Sequence, residues 1–168
     1  GEGAMYISRK TDYALRMLSL LVSREGEPLS VRVAADQVDV PYSFARSIQH
    51  ALTQAGIVES VRGVHGGMRL KADPAEVPML DVIRAVEGDL ALNECTAPDG
   101  ACARMSVCCY HPLWLGAERL LESYFGSVSL ADVVLWKRFP AVDAAFSDPA
   151  SFIQYADCAS LRAHGEAR

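Results

Sequence analysis

A proline between two short apolar segments constrains the fold of this chain more than any other feature. Pro41 cannot lie inside a helix, so the apolar residues on its two sides must belong to separate helices joined by a tight turn. Ser30 and Ser43 are suitable N-cap residues for these helices, and Gly56 is suited to end the second of them. A longer helical segment precedes both. The three predicted helices span residues 11–23, 31–38 and 44–52. Their order predicts a helix-turn-helix.

A β-hairpin is predicted directly after the third helix. Apolar residues alternate at 57–61 and 68–71, which indicates two short strands. The segment between them contains three glycines, and glycine permits the sharp turn that a hairpin needs. A hairpin in this position is a wing. We therefore predict a mostly α fold, with a winged helix-turn-helix domain, a two-stranded wing and a long helix at 113–125.

The charge distribution fits a protein that meets phosphate with one end. The net charge is −5, yet residues 1–71 hold nine Lys or Arg against seven Asp or Glu. Residues 72–168 hold seven basic against fourteen acidic side chains. A mildly basic front on an acidic body is compatible with a nucleic-acid-facing surface. A local excess of this size also occurs on ordinary surfaces, so charge alone does not identify DNA binding.

The first turns of the third helix carry side chains that can contact DNA. The N-terminal end of a recognition helix enters the major groove. Arg46 can bind a guanine edge bidentately or a phosphate, and Ser43 beside the free helix N–H groups suits phosphate. Two side chains at the wing tip can reach a minor groove or the backbone. The candidate DNA-binding residues are Tyr42, Ser43, Arg46, Gln49, His50, Arg62 and His65. The alternative is that Arg46 and Gln49 form a solvated helix face.

Four of the five cysteines lie in the predicted loop at 89–111, which has neither helical nor strand period. The loop order is Cys95, Cys102, Cys108 and the adjacent Cys109, with His111 three residues after Cys108. Thiolates bind iron well, and a flexible loop can wrap an iron–sulfur cluster. Zinc accepts three cysteines and one histidine, although the paired knuckles of structural zinc sites are missing before Cys108. Thiol redox chemistry without a metal is the third interpretation.

The ordered motifs resemble the IscR/NsrR family of winged-helix regulators, which control iron–sulfur biogenesis, nitric-oxide responses and iron homeostasis in bacteria. The resemblance covers about residues 5–135. It depends on the first helix, the start of the recognition helix, the wing, the cysteine loop with the helix after it, and a segment beyond that helix. These motifs are Thr11–Arg16, Val40–Ser43, Ser60–Gly63 with Gly66 and Gly67, the three-cysteine loop, and Ser129–Val133.

The resemblance implies a dimeric regulator that binds double-stranded promoter DNA and senses iron, nitric oxide or redox state. It implies an iron–sulfur cluster, with 2Fe–2S favoured and 4Fe–4S as the alternative, and a homodimer centred on the helix at 113–125. Three ligands follow from the family pattern: Cys95, Cys102 and Cys108. His111 is favoured as the fourth; the alternatives are Asp12 of the partner subunit and a three-cysteine cluster with an open or exogenous fourth site.

By function, the resemblance divides the chain into three parts. These are a winged helix-turn-helix DNA-binding domain at 5–78, a cluster-binding loop with a dimerisation helix at 79–135, and a C-terminal extension of unknown role at 136–168. Met5 is taken as the natural start. We expect no enzymatic activity, no small-molecule substrate, no membrane span and a cytoplasmic location.

Three departures from the family pattern affect the interpretation. The first cysteine spacing is one residue longer than usual, and Cys109 is an extra thiol that can compete for a cluster or resolve an oxidised Cys108. Arg46 stands where the IscR branch carries an acidic recognition residue, so that branch's operator is not transferred. Cys158 is predicted to be a lone tail thiol.

The competing functions are a cluster-free thiol-based redox repressor and an iron–sulfur electron carrier. An electron carrier would not need a wing.

Overall fold

Helices dominate the computed structural model, which describes residues 7–100 and 102–141. Within these residues there are five α-helices and one two-stranded antiparallel sheet, which agrees with the predicted mostly α class. The elements are α1 (Arg9–Val22), α2 (Val31–Gln37), α3 (Tyr42–Gln54), β1 (Val58–Val61), β2 (Gly67–Leu70), α4 (Met79–Glu87) and α5 (His111–Ser127). Short 3-10 turns lie at Pro74–Glu76, Glu94–Thr96 and Met105–Val107.

The chain divides into two compact units. Among the described residues, the first unit comprises 7–88 with 124–139, and the second comprises 89–100 and 102–123 with 140–141. The first unit therefore contains α1 to α4, the sheet and the last turn of α5. The second contains the cysteine loop and most of α5. The predicted division into DNA-binding domain, cluster-binding region and extension is a division by function, and it stays a prediction.

Local signals set most helix ends as predicted, with one exception. The Ser30 hydroxyl accepts a hydrogen bond from the Val33 N–H at 3.3 Å, which confirms it as the N-cap of α2. Gly56 follows α3 with a φ of 74°, a conformation that glycine adopts without strain. The prediction that Ser43 caps α3 is wrong. Pro41 itself occupies the N-cap position without a side-chain cap, so Ser43 lies inside the first helical turn.

The core of the first unit lies between α1, α3, α4 and the inner face of the sheet. Its largest fully buried side chains include Met17, Leu18, Ile48, Leu52 and Met68. They come from α1, α3 and β2, so burial of this cluster fixes the recognition helix α3 and the wing strand β2 against α1. The packed core thereby positions the surface that the sequence predicts to face DNA.

Polar contacts join the start of α1 to the end of α4. Thr11 is 1% exposed, and its hydroxyl and that of Ser8 donate hydrogen bonds to the Glu87 carboxylate. Burial acts to raise the pKa of Glu87, but these hydrogen bonds outweigh it and lower the pKa below its usual value. The charged carboxylate is therefore the form that joins the two helices.

Backbone hydrogen bonds join the segment after α5 to the segment at the start of α4. The Met79 N–H donates to the Val128 carbonyl, and the Leu130 N–H donates to the Val77 carbonyl, both at 2.8 Å. The chain after Ser129 forms a helical turn that becomes π-helical over Asp132–Trp136.

Candidate nucleic-acid interface and candidate metal centre

One face of α3 is exposed, and most of the predicted DNA contacts lie on it. Ala45, Ile48 and Leu52 point into the core at helical spacing, so the residues between them must face outward. Tyr42, Ser43, Arg46 and His50 are exposed, and Gln49 is half-buried. The structure therefore leaves the polar groups of the helix N-terminus accessible, as a recognition helix requires.

Tyr42 is the first residue of α3, and a neighbouring arginine stacks on it. The Arg32 guanidinium, from the first turn of α2, lies 4.3 Å from the centre of the Tyr42 ring. Such a cation–π contact is worth about 0.5–1 kcal/mol at an exposed site, so it biases the arginine toward the start of α3. Sequence reasoning missed Arg32. The feature of the sequence that could have identified Arg32 is its place in the first turn of the helix before the recognition helix.

Gln49 links the recognition helix to the wing. Its side-chain amide donates a hydrogen bond to the Ser60 hydroxyl on β1 at 3.1 Å. The predicted role of Gln49 in DNA binding stays a prediction, because the amide is engaged here by the protein itself. The contact instead aligns the wing with α3.

A close backbone approach connects the wing to the start of α2. Leu29 and Met68 exchange two backbone hydrogen bonds of 2.8 and 2.9 Å, which adds a short bridge to the antiparallel pair of β1 and β2. A Cβ at Gly67 would lie 2.3 Å from the carbonyl carbon and oxygen of Leu29. Only glycine allows the backbones to approach so closely.

The wing tip presents two polar side chains and one apolar one to solvent. Arg62 and His65 are exposed, and Val64 between them is 98% exposed. The Gly66 N–H donates to the Gly63 carbonyl at 3.0 Å and closes the turn. The tip is thus ordered with Arg62 and His65 accessible, which suits the predicted contact with a groove or phosphate.

The cysteine loop of the second unit surrounds a cavity of about 650 Å³. The three cysteines that the family pattern identifies as ligands all line it, and all three are free thiols. Cys95 and Cys108 are half-buried, whereas Cys102 is exposed. The other lining residues are Asn93, Glu94, Ala103, Arg104, Tyr110 and Trp114. In the part of the chain that the structure describes, no three His, Cys, Asp or Glu side chains lie close enough together to hold one metal ion.

The two candidate fourth ligands have different surroundings. His111 begins α5, does not line the cavity, and has a buried Nδ1 atom without a hydrogen-bond partner. Asp12 lies in the first turn of α1, and its carboxylate forms an ion pair with the Arg16 guanidinium, with 2.7 Å between nitrogen and oxygen. An unsatisfied buried nitrogen is costly, so His111 differs from Asp12 in that its nitrogen has no polar partner.

The remaining two cysteines differ from the three in the cavity. Cys109 is disulfide-bonded and is not one of the three free thiols, and its suggested role as a competing or resolving thiol stays a prediction. Cys158 lies outside the described residues.

A buried carboxylate on α5 holds the beginning of the cysteine loop. Glu118 is 7% exposed, and it accepts a 2.6 Å hydrogen bond from the Leu92 N–H and another from the Thr96 hydroxyl. Sequence reasoning missed this residue. An acidic side chain one helical turn after Trp114 was the available signal, but the sequence does not say which backbone groups it meets.

None of the described helices combines the length and the apolar composition that a membrane crossing requires.

Comparisons with known proteins identify related regulators. The Rrf2 family, described as an iron-dependent transcriptional regulator, matches residues 7–135. The transcriptional regulator NsrR of Bacillus subtilis is 33% identical over 106 residues, which cover 62% of this chain and 73% of that protein. The structure of CymR, the global cysteine regulator of B. subtilis, has a TM-score of 0.61 and 26% identity, and covers 79% of this chain and 98% of its own. IscR of T. potens has a TM-score of 0.59 and 25% identity, with 92% and 97% covered.

Proposed function

This chain belongs to the Rrf2 family of transcriptional regulators, and we propose that it binds promoter DNA as a homodimer in the cytoplasm and senses iron, nitric oxide or redox state through an iron–sulfur cluster. The family membership makes it a DNA-binding regulator and not an enzyme. The resemblance inferred from the sequence is thereby confirmed. The cluster, the dimer and the signal are the proposed part.

The single observation that carries the cluster proposal is the cavity lined by three free thiols. Soft thiolate donors are the ligands that iron–sulfur clusters take in proteins, so the donor set fits the group. The half-buried positions of Cys95 and Cys108 limit access of water, and exposed Cys102 leaves an entry path. When bound, the cluster supplies a group whose integrity depends on iron supply, nitric oxide and oxygen. Binding of Cys95, Cys102 and Cys108 to one cluster would fix the positions of these thiols relative to one another.

We favour His111 as the fourth ligand. Its Nδ1 atom is buried without a partner three residues after Cys108, so ligation would satisfy it. Asp12 of the partner subunit is the alternative, and it would have to give up or share its ion pair with Arg16.

The exposed apolar residues of α5 support the dimer. Leu113 is 59% and Leu120 is 50% exposed, and the only buried side chain of this 17-residue helix is Glu118. Exposed leucines on a long helix are typical of an interface between subunits. Covering them with the same helix of a second subunit would set the distance between two recognition helices. Operator half-sites about 34–36 Å apart require such a defined distance.

The experiment begins with protein purified without oxygen, using absorption spectra with iron and sulfide analysis. We expect a coloured wild type with matched iron and sulfide, and strong loss of both in Cys102→Ala. Ser106→Ala is the control, because it removes an exposed hydroxyl from the same loop and no thiol. Operator binding is then compared between cluster-loaded and cluster-free protein. Colourless protein that resists reconstitution, or operator binding that ignores the cluster in the wild type, would refute the sensing proposal.

A thiol-based regulator is the second candidate, and the same three free thiols favour it. This function predicts colourless protein whose operator binding follows added oxidant and reductant. Anaerobic spectra and redox titration of operator binding therefore separate the two candidates.

A further inference from the structure

A buried carboxylate joins the cysteine loop to the long helix. Glu118 lies on α5, and its two hydrogen-bond donors, Leu92 and Thr96, lie on either side of Cys95 along the chain. The Thr96 N–H donates to the Asn93 carbonyl at 3.0 Å and closes the 3-10 turn that contains Cys95. The carboxylate therefore holds both ends of the short segment from which Cys95 points into the cavity.

The chemistry of these contacts makes the position of the segment specific. A buried carboxylate is tolerated only when hydrogen bonds replace its water, and bonds to a charged acceptor are stronger than neutral ones. The Leu92 N–H in turn would lose its acceptor if the carboxylate were removed. The Glu118 carboxylate and the Leu92 N–H therefore each need the other as a hydrogen-bond partner. Trp114, one helical turn before Glu118, lines the same cavity, so one face of α5 both lines the cavity and holds the loop.

We propose that Glu118 is a positioning residue for Cys95: it sets the place of this thiol in the cavity and attaches the cysteine loop to α5. The consequence for cluster retention rests on the proposed function, whereas the positioning of Cys95 does not. Groups that orient metal ligands without touching the metal typically change metal affinity by about 10–100-fold when they are replaced.

The test measures the alkylation rates of Cys95 and Cys108 by mass spectrometry in metal-free protein, together with hydrogen exchange at the Leu92 amide. Glu118→Ala should raise the ratio of the Cys95 rate to the Cys108 rate at least about fivefold and speed Leu92 exchange about tenfold or more, because a hydrogen bond to a charged group is lost. Glu118→Gln should restore most of the wild-type ratio, because its amide oxygen can still accept from Leu92. Glu27→Gln, an exposed carboxylate in the first unit, is the matched control.

Thr96→Val provides a second variant that leaves α5 and its charge unchanged. It should shift the same ratio in the same direction, and it decides the question if Glu118→Ala does not fold. A general loss of stability would speed both cysteines equally, and an unchanged ratio in the foldable variants overturns the proposal. In reconstituted protein, the half-life of the visible absorption under chelator should fall about tenfold or more in Glu118→Ala. A wild type that takes up no cluster refutes the proposed function, while the alkylation ratio still decides the role of Glu118.

Discussion

Replacing Gly67 by alanine places a methyl group where the structure has backbone. The new Cβ would lie 2.3 Å from the carbonyl carbon and oxygen of Leu29 and 2.7 Å from the backbone nitrogen of Ser30. No rotamer change relieves a contact between a Cβ and backbone atoms. Either β2 or the segment before α2 must move, and the paired hydrogen bonds between Leu29 and Met68, at 2.8 and 2.9 Å, lengthen or break.

The magnitude follows from these contacts. Forced overpacking costs about 1–3 kcal/mol, and each of the two hydrogen bonds contributes about 0.5–1.5 kcal/mol. We therefore expect Gly67→Ala to lower the free energy of unfolding by about 2–6 kcal/mol, measured by urea denaturation. Because the same bridge aligns the wing with the helix-turn-helix, operator affinity should also fall in the fraction that remains folded.

Gly26→Ala is the matched control. Gly26 also has a positive φ, 90°, but a Cβ there meets nothing within 4 Å. Alanine at this position carries only the conformational cost, about 1–2 kcal/mol. If Gly67→Ala and Gly26→Ala lose the same stability, the close backbone approach contributes nothing. The reasoning from the bridge is then refuted.

Three further predictions concern DNA binding, acid stability and the core. Arg46→Ala should weaken specific operator binding by about 1–3 kcal/mol in titrations, and an equal loss on scrambled DNA would show that the arginine contacts only phosphate. Hydrogen bonds from Ser129 and the neighbouring Arg138 lower the pKa of Asp132 from 3.8 to about 2, so its stabilising contribution is present above pH 3.8 and is lost as the pH falls toward 2. The free energy of unfolding should therefore change less with pH in this window for Asp132→Asn than for the wild type. An equal pH dependence in both proteins would exclude Asp132 as a source of the acid sensitivity. Leu52→Ala, at a position 1% exposed, should lower the free energy of unfolding by about 2–5 kcal/mol, whereas a loss below about 1 kcal/mol would contradict its place in the core.

Elements with strong local signals were predictable from the chain. Pro41 separates α2 from α3, Gly56 ends α3, and the glycines of the hairpin mark the wing, since each effect acts through backbone dihedral angles of one or two residues. Competition between neighbouring local signals was harder to judge. Ser43 has the chemistry of an N-cap, but Pro41 takes that position two residues earlier. Phe44 is a large apolar residue of α3, yet it is 44% exposed, and its ring packs edge-to-face against the ring of Tyr13.

Local patterns in the chain were enough to predict the order of the helices, the wing and the loop with its three thiols, because periodicity, caps and turn residues are encoded within a few neighbouring positions. The contacts between distant groups became visible only in the folded molecule. Gln49 finds Ser60 on the wing, Glu118 finds the backbone of Leu92, and Gly67 meets Leu29. Such contacts depend on how separate elements pack, and packing selects partners by shape and by the need to satisfy buried polar groups, which no local pattern records.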